Sequence, residues 1–170
     1  MGAITVRLAS KADAPAVYDL VVELARAREA MEKVVSSAAD IERDGFGENP
    51  AFEALIAEID GRPVGLCLFF GSYSTWRGQR GLYVQDLIVA DTARSLGVGQ
   101  RLLAEAAALA QSRGAGYLRL SVDDDNVSAQ RFYRRAGLKH STSELIYVLD
   151  DNNFIELAEA AKELAGGSGA

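Results

Sequence analysis

The chain has 170 residues, of which 49% are hydrophobic and 25% charged, and its formal net charge is −6 at pH 7. These values are ordinary for a globular protein, and the length suits one domain with a sizeable core. The acidic balance argues against a general nucleic-acid-binding protein. The longest apolar run, GLCLFF at 65–70, is too short to span a bilayer. We therefore expect no nucleic-acid partner and no membrane insertion, and the lack of a signal-like segment predicts a cytoplasmic protein.

Cysteine and histidine, two common metal ligands, occur once each in the chain. The single cysteine, Cys67, lies in the apolar run, so we expect a buried, inert core residue and no internal disulfide. His140 has no partner at ligand spacing. The run VDDDN at 122–126 could be a metal cluster, but consecutive carboxylates at a strand end point in different directions. We interpret it as the N-terminal cap of a helix, and we predict no metal site.

Apolar periodicity and turn residues predict alternating strands and helices. The chain begins with a strand over 3–8, a helix over 14–29 after a capping box of Ser10 and Asp13, and a short helix capped by Ser36 or Ser37 that runs through Arg43. Three strands follow, over 51–60, 63–73 and 81–90, and then a helix over 98–113. The last elements are a strand over 116–122, a helix over 127–137, a strand over 143–149 and an amphipathic helix over 153–165.

This order predicts an α/β fold built on a mixed sheet with helices on its faces. Strands joined by short turns should pair antiparallel, whereas the fourth and fifth, joined through a helix, should run parallel. We expect one domain over 1–150, a C-terminal helix over 151–165 and a flexible tail over 166–170. The C-terminal helix either covers the sheet or pairs with a second subunit.

The loop RSLGVG, at 94–99, joins the fourth strand to the long helix. Glycines at a helix N-terminus let a ligand approach the backbone, where unpaired N–H groups and the helix dipole favour phosphate. A simple turn is the alternative. A Walker loop is excluded because no Lys-Ser or Lys-Thr follows Gly99, and a dinucleotide fingerprint is excluded because Leu102 stands where a third glycine is needed.

Two segments carry a family resemblance. R-x-x-G-x-G between a strand and a helix, followed by NVSAQRFYRRAGL at 126–138, resembles the paired signature of the GNAT N-acetyltransferases over about 4–148. The segments DGFGENPAF and LYVQDLIV are similar to the diamine (spermidine/spermine) and thialysine acetyltransferase branch. The resemblance implies the GNAT fold, a mostly antiparallel sheet whose fourth and fifth strands splay apart, and a homodimer.

The resemblance also implies acetyl-CoA as co-substrate. The strand edge that pairs with the pantetheine arm would be Leu87, Ile88 and Val89. The pyrophosphate would lie against Arg94, Ser95, Leu96, Gly97, Val98, Gly99 and Gln100, and Asn126 and Ala129 would lie beside the pantetheine and the sulfur. These assignments suit the chemistry, since pantetheine amides pair with a free strand edge and pyrophosphate needs N–H donors.

Tyr133 matches the family's general acid. A free thiol titrates near ~8.5 and tyrosine near ~10, so a phenol is a fitting proton donor to a departing thiolate. A core aromatic beside Phe132 is the alternative.

The acceptor side departs from the polyamine branch. Deprotonating a primary amine at pH 7 costs about 4 kcal/mol. Enzymes commonly remove this proton with a carboxylate or with a water molecule bound to one. The branch's glutamate is Gln85 here, which cannot act as a base, and an expected aspartate is Ser74. The loss of these acidic positions argues against a long polycation as the acceptor. The predicted substrate-binding residues are Glu29, Trp76, Gln85 and Asp86; for Asp86, a structural strand carboxylate is the alternative.

We therefore hypothesise an N-acetyltransferase in which a diamine or amino-acid-like acceptor attacks acetyl-CoA directly. A backbone N–H near Ile88 or Val89 would polarise the thioester carbonyl. Two alternatives are an acyl-CoA-binding regulatory module without catalysis, which Gln85 favours, and a protein or peptide N-acetyltransferase.

Overall fold

The computed structural model describes residues 2–166, with side chains through 161. The strands are β1 (Ile4–Leu8), β2 (Glu53–Ile59), β3 (Arg62–Ser74), β4 (Gln79–Val89) and β5 (Ala115–Leu120). The helices are α1 (Ala14–Ala27), α2 (Ala38–Phe46), α3 (Val98–Ser112), α4 (Val127–Arg135) and α5 (Asp151–Gly166). Short 3₁₀ turns at Lys11–Asp13, Met31–Lys33 and Asp91–Ala93 join some of them.

The five strands form one sheet in the order β1-β2-β3-β4-β5. The first three pairings are antiparallel, and β4 pairs with β5 in parallel. The parallel pair is the one whose strands are joined through α3, because a helical crossover returns the chain in its original direction. The predicted mixed sheet is thereby confirmed.

Each face of the sheet has its own apolar core. On one face, α3 buries Leu102 and Ala106 against Cys67 and Phe69 of β3. On the other, α1 buries Val17 and Leu20 against a cluster that includes Leu66, Leu68 and Ile88. Alternate β3 residues serve opposite cores because successive strand side chains point to opposite faces. We call these surfaces the α3 face and the α1 face.

Helix starts follow the predicted capping residues. The Asp13 carboxylate accepts hydrogen bonds from the Ser10 N–H (2.7 Å) and hydroxyl (2.8 Å), and Asp40 does the same for Ser37 (2.9 and 2.7 Å). Ser37, rather than Ser36, is the N-cap of α2. Reciprocal caps of this kind satisfy the free N–H groups of a first turn.

The C-terminal part differs from the prediction. The strand expected over 143–149 does not form, because a strand needs a ladder partner and this segment pairs with no strand among the described residues. The chain divides into two compact units, Met1–Val127 and Ser128–Ala170. Of the predicted tail, Gly166 ends α5 and the rest lies outside the described residues. No helix within 2–166 is long and apolar enough to cross a membrane.

Candidate active site

β4 extends beyond the end of its parallel partner, β5. The pairing with β5 runs from Arg80 opposite Ala115 to Val84 opposite Leu120, where β5 ends, while β4 continues to Val89. Its last residues keep β3 on one side, with Cys67 opposite Leu87. On the other side, the predicted pantetheine edge at 87–89 has no strand partner among the described residues. Its outward N–H and C=O groups can therefore pair with an extended ligand.

The loop before α3 is shaped to present backbone donors. Gly97 is the helix N-cap at φ 86°, a left-handed conformation that favours glycine, and Ser95 also has positive φ at 63°. Among the side chains that the structure describes, none caps the helix start. The first-turn N–H groups of α3 therefore point outward at the positive end of the dipole, as a phosphate site requires.

The two arginines of this region are engaged with carboxylates. Arg94 lies 2.6 Å from Asp91 and Arg101 lies 2.8 Å from Glu105, and all four side chains are partly exposed. Exposed pairs of this kind are weak. The backbone N–H groups are thus donors that do not depend on breaking an ion pair, and a phosphate bound at this loop would compete with Asp91 for Arg94.

A β-bulge sits where β4 leaves β5. Leu68 of β3 opposes Asp86, but the next residue, Phe69, opposes Val84, so Gln85 is the extra residue. Residues directly opposite in a ladder share a face. Asp86 therefore lies beside Leu68 on the α1 face, and the exposed Gln85 has no cross-strand partner.

Asp86 is half-buried, and among residues 2–166 its carboxylate accepts no hydrogen bond and forms no ion pair. Burial raises its pKa above the ordinary aspartate value, since desolvation disfavours the charged form. The same negative charge, after burial itself, helps raise the pKa of the Cys67 thiol to about 12. A carboxylate with these properties can accept a proton or bind a cation.

Aromatic side chains continue the α1 face beyond the bulge. The Phe70 and Tyr83 rings stack with centroids 5.0 Å apart, and the Tyr83 hydroxyl lies 2.8 Å from the Ser121 hydroxyl. The Arg119 guanidinium lies 5.9 Å from the Tyr83 ring centroid. The sequence does not predict Phe70, Tyr83 and Arg119 as residues of this site. Their alternation with apolar neighbours is visible in the sequence, but the strand register that aligns them is not.

The C-terminal end of α1 lies near the same opening. Arg28 forms ion pairs with Asp123 (2.9 Å) and Asp125 (3.3 Å), in the loop that follows β5. The next residue, Glu29, is exposed and has positive φ at 53°. Two of the three consecutive aspartates thus bind an arginine, and the described residues contain no group of three potential metal ligands.

Trp76 lies elsewhere in the unit. It is 99% exposed in the turn between β3 and β4. From Gln79 to Asp86 the strand makes seven residue steps, about 23 Å at the usual rise. The structure therefore does not bring Trp76 and Asp86 together within one chain.

Of the residues expected around the thioester sulfur, Asn126 directly precedes α4, whereas Ala129 and Tyr133 belong to that helix. The Asn126 N–H donates to the Asp123 carbonyl at 3.1 Å. Ala129 and Tyr133 are four residues apart on α4, hence on one face of that helix. The Tyr133 ring meets Phe132 edge-on, with centroids 5.3 Å apart.

An open cavity of about 460 Å³ lies at the other end of α3. Its lining includes Phe69, Arg80, Leu82, Ala110 and Arg113. Because these residues surround the C-terminal end of α3, the cavity is remote from Asp86 and from the loop at 94–99, which we call the phosphate loop. The candidate active site is instead the open cleft between β4 and β5.

Comparison with known proteins agrees with this geometry. Residues 15–138 match the model of the acetyltransferase (GNAT) family. The chain is 33% identical to the thialysine N-epsilon-acetyltransferase of Sus scrofa over 98% of this chain and 99% of that protein. It is 30% identical to the spermidine/spermine N(1)-acetyltransferase-like protein 1 of Homo sapiens over 93% of this chain, which spans 24% of that protein.

Among solved structures, an integron cassette protein from the mobile metagenome of V. cholerae superposes with a TM-score of 0.80 at 20% identity, covering 92% of this chain and 98% of that one. That likeness concerns the fold. Together with the family match, the split between β4 and β5 and the amide-rich start of α3 lead to one assignment. The chain belongs to the GNAT acetyltransferase family and is an acetyl-CoA-dependent N-acetyltransferase.

Proposed function

We propose that the enzyme acetylates a primary amine of a small diamine or amino-acid-like acceptor by direct attack in a ternary complex. The observation that carries this proposal is the position of Asp86 on the α1 face, at the point where β4 separates from β5. The phosphate loop belongs to α3, on the opposite face. An amine at Asp86 and a cofactor at the loop can therefore meet at the cleft. The relative named a thialysine acetyltransferase supports a small amine acceptor.

The residues present fit acetyl-CoA. The edge at 87–89 offers N–H and C=O groups to the pantetheine amides, and the loop at 94–100 offers N–H groups to the pyrophosphate. We place Asn126 and Ala129 beside the pantetheine and the sulfur. Acetyl-CoA supplies the activated acetyl group, and the protein positions the amine and moves protons.

Asp86 removes the proton from the acceptor amine. Gln85 carries no titratable group, so Asp86 is the carboxylate at the bulge. Its raised pKa brings it closer to the pKa of the amine, near ~10.4, and makes the proton transfer less unfavourable. Glu29, at the end of α1, adds negative charge that attracts the ammonium form of the acceptor.

The acetyl carbonyl and the sulfur need separate partners. A backbone N–H near Ile88 or Val89 polarises the carbonyl, as an oxyanion donor does. Tyr133 protonates the departing sulfur. We further propose a cytoplasmic homodimer; a contribution of Trp76 to the acceptor site would then come from the second subunit, because the turn that carries it is far from Asp86 in its own chain.

Release of free thiol from acetyl-CoA tests the proposal. Full-length enzyme is incubated with acetyl-CoA and a panel of diamines, basic amino acids and lysine-containing peptides. Turnover with small amines is the expected result. Turnover with peptides alone would favour a protein acetyltransferase, and cofactor binding without turnover would favour the regulatory module that Gln85 suggests.

A further inference from the structure

The cavity at the C-terminal end of α3 is separate from the cleft between β4 and β5 and takes no part in the proposed reaction. Its volume is about 460 Å³, and all of its lining residues belong to the first compact unit, Met1–Val127. Ligand pockets in proteins usually measure about 300–1,000 Å³ and combine an apolar wall with a few polar groups. The cavity is therefore large enough for a small organic ligand.

The inner wall of the cavity is apolar. It includes Phe69 of β3, Leu82 of β4 and Ala110 of α3, which are buried members of the core between the sheet and α3. Ala115, at the start of β5, adds a half-buried methyl group. Because apolar surface is better covered by hydrocarbon than by water, this wall favours a ligand with an apolar body.

The cavity stays open beside β3 because residue 71 has no side chain. Gly71 alternates with Cys67 and Phe69 along β3, so its Cβ position faces α3 and the cavity. A Cβ there would meet no other atom within 4 Å among the described residues. Gly71 does not have positive φ, so the backbone does not require a glycine. A glycine inside a strand often marks a place where a ligand approaches the backbone closely.

The charged side chains of the lining are Glu53, Arg80 and Arg113. Arg113 donates two hydrogen bonds to the Glu53 carboxylate, at 2.5 and 2.9 Å, so these two charges offset each other. Arg80 is exposed, and its guanidinium forms no hydrogen bond and no ion pair with any residue that the structure describes. Two arginines and one glutamate leave one positive charge in excess, which suits a single negative charge on the ligand.

The guanidinium of Arg80 is the group that can hold this negative charge. Arg80 lies two residues before Leu82 on β4, so both side chains face α3. The C-terminal end of α3 carries the negative end of the helix dipole and offers an anion no attraction of its own. The attraction must therefore come from an arginine, and Arg113 is already engaged with Glu53.

We propose that this cavity binds a small monocarboxylate with an apolar body. The carboxylate accepts charge-assisted hydrogen bonds from Arg80, and the body fills the space between Gly71 and Phe69. Glu53 disfavours a second negative charge, and the excess positive charge disfavours a cation. The ligand is bound without reacting, so this inference does not rest on the identity of the amine acceptor.

Displacement of a fluorescent dye tests the inference. Full-length enzyme is titrated with anilinonaphthalene sulfonate, an aromatic monoanion that becomes bright in apolar sites, with coenzyme A in excess to occupy the cofactor site. Octanoate and octanol, which share an alkyl chain and differ in charge, are compared as displacers. The variants are Arg80→Gln, Gly71→Phe and the matched control Arg77→Gln. Arg77 is an exposed arginine of the preceding turn whose guanidinium lies 5.3 Å from the Tyr117 ring centroid and does not line the cavity.

We expect octanoate to displace the dye from the wild type at a concentration about tenfold lower than octanol does, as a hydrogen bond between charged groups predicts. Arg80→Gln should remove this advantage and leave octanol unchanged. Gly71→Phe should weaken binding of the dye and of both displacers, because the ring fills the cavity, and Arg77→Gln should change none of them.

Thermal melting of each variant checks that it is folded; if Gly71→Phe does not fold, Arg80→Gln decides the test. Three results would overturn the inference: a wild type that does not brighten the dye, octanol that displaces it as well as octanoate does, or a folded Arg80→Gln that keeps the wild-type preference for octanoate. None of them bears on acetyl transfer, which thiol release measures separately.

Discussion

Asp86→Asn is expected to make the enzyme more stable and much less active at once. The substitution keeps the size of the side chain but removes the half-buried carboxylate at the bulge of β4. If that carboxylate takes the proton from the acceptor, turnover should fall about 10²- to 10⁴-fold, the usual contribution of a general base. The KM for acetyl-CoA should stay the same, because Asp86 faces the opposite side of the sheet from α3.

The pH dependence follows from the raised pKa of Asp86. The carboxylate must be ionised to accept a proton, so kcat/KM of the wild type should fall as pH drops through that pKa. In kcat the same limb should lie at lower pH, since a bound ammonium favours the ionised form. The Asn variant should lose this limb and keep only the dependence set by the free amine of the acceptor.

Stability should change in the opposite sense. A carboxyl group whose pKa is higher in the folded state binds more protons there, so stability falls as pH rises from the unfolded pKa through the folded one. Each unit of elevation costs the folded state about 1.4 kcal/mol at neutral pH. Melting of Asp86→Asn should therefore lose this pH dependence, and its melting temperature at pH 7 should exceed that of the wild type.

Initial rates from pH 5 to 9, with melting curves over the same range, measure both effects. The double variant Gln85→Glu/Asp86→Asn is the control, because it returns a carboxylate to the bulge one residue away and should recover part of the activity. An Asp86→Asn enzyme that keeps wild-type kcat/KM and its acidic limb would refute the base role. A variant that loses activity and stability together would point to a structural role.

Three further predictions concern the acid, the loop and the thiol. Tyr133→Phe should lower kcat about 10²-fold or more with little change in acetyl-CoA affinity, and equal losses of both would contradict the acid role. Gly97→Ala should cost about 1 kcal/mol of stability, because the φ of Gly97 is 86°, and should raise the KM for acetyl-CoA. Gly78→Ala is the control, because Gly78 also has positive φ, at 58°, and a Cβ at either position would meet no other atom within 4 Å among the described residues. It should show the same stability loss in melting experiments but leave the KM for acetyl-CoA unchanged. Cys67, fully buried and with its pKa raised to about 12, should resist thiol reagents at pH 8 until denaturant is added; rapid labelling of the native protein would contradict this.

Local signals predicted the shape of the loop at 94–99 and the pairing of β4 well. Gly97 needs a left-handed backbone at a helix start, and that requirement is visible in the residues RSLGVG. The parallel pairing of β4 with β5 follows from the helix between them. Each of these features depends on a few neighbouring residues or on element order, which a sequence shows directly.

The acceptor side depends on register, which the sequence does not show. Phe70, Tyr83 and Arg119 meet because three strands align, and Asp86 joins their face because a bulge at Gln85 shifts the alternation. The family resemblance placed Trp76 and Asp86 together in the acceptor site, whereas most of β4 separates the two residues. The strand predicted over 143–149 has a suitable pattern, but a pattern does not supply a neighbour to pair with.

The placement of the phosphate loop and Asp86 on opposite faces has a consequence for inhibitor design. In the proposed ternary complex the two substrates would approach from opposite sides, so that one can bind while the other is already in place. A compound that joins coenzyme A to an amine would have to thread between β4 and β5. Its two halves would then act as tethered ligands, each raising the local concentration of the other, and its residence time should greatly exceed that of either half alone.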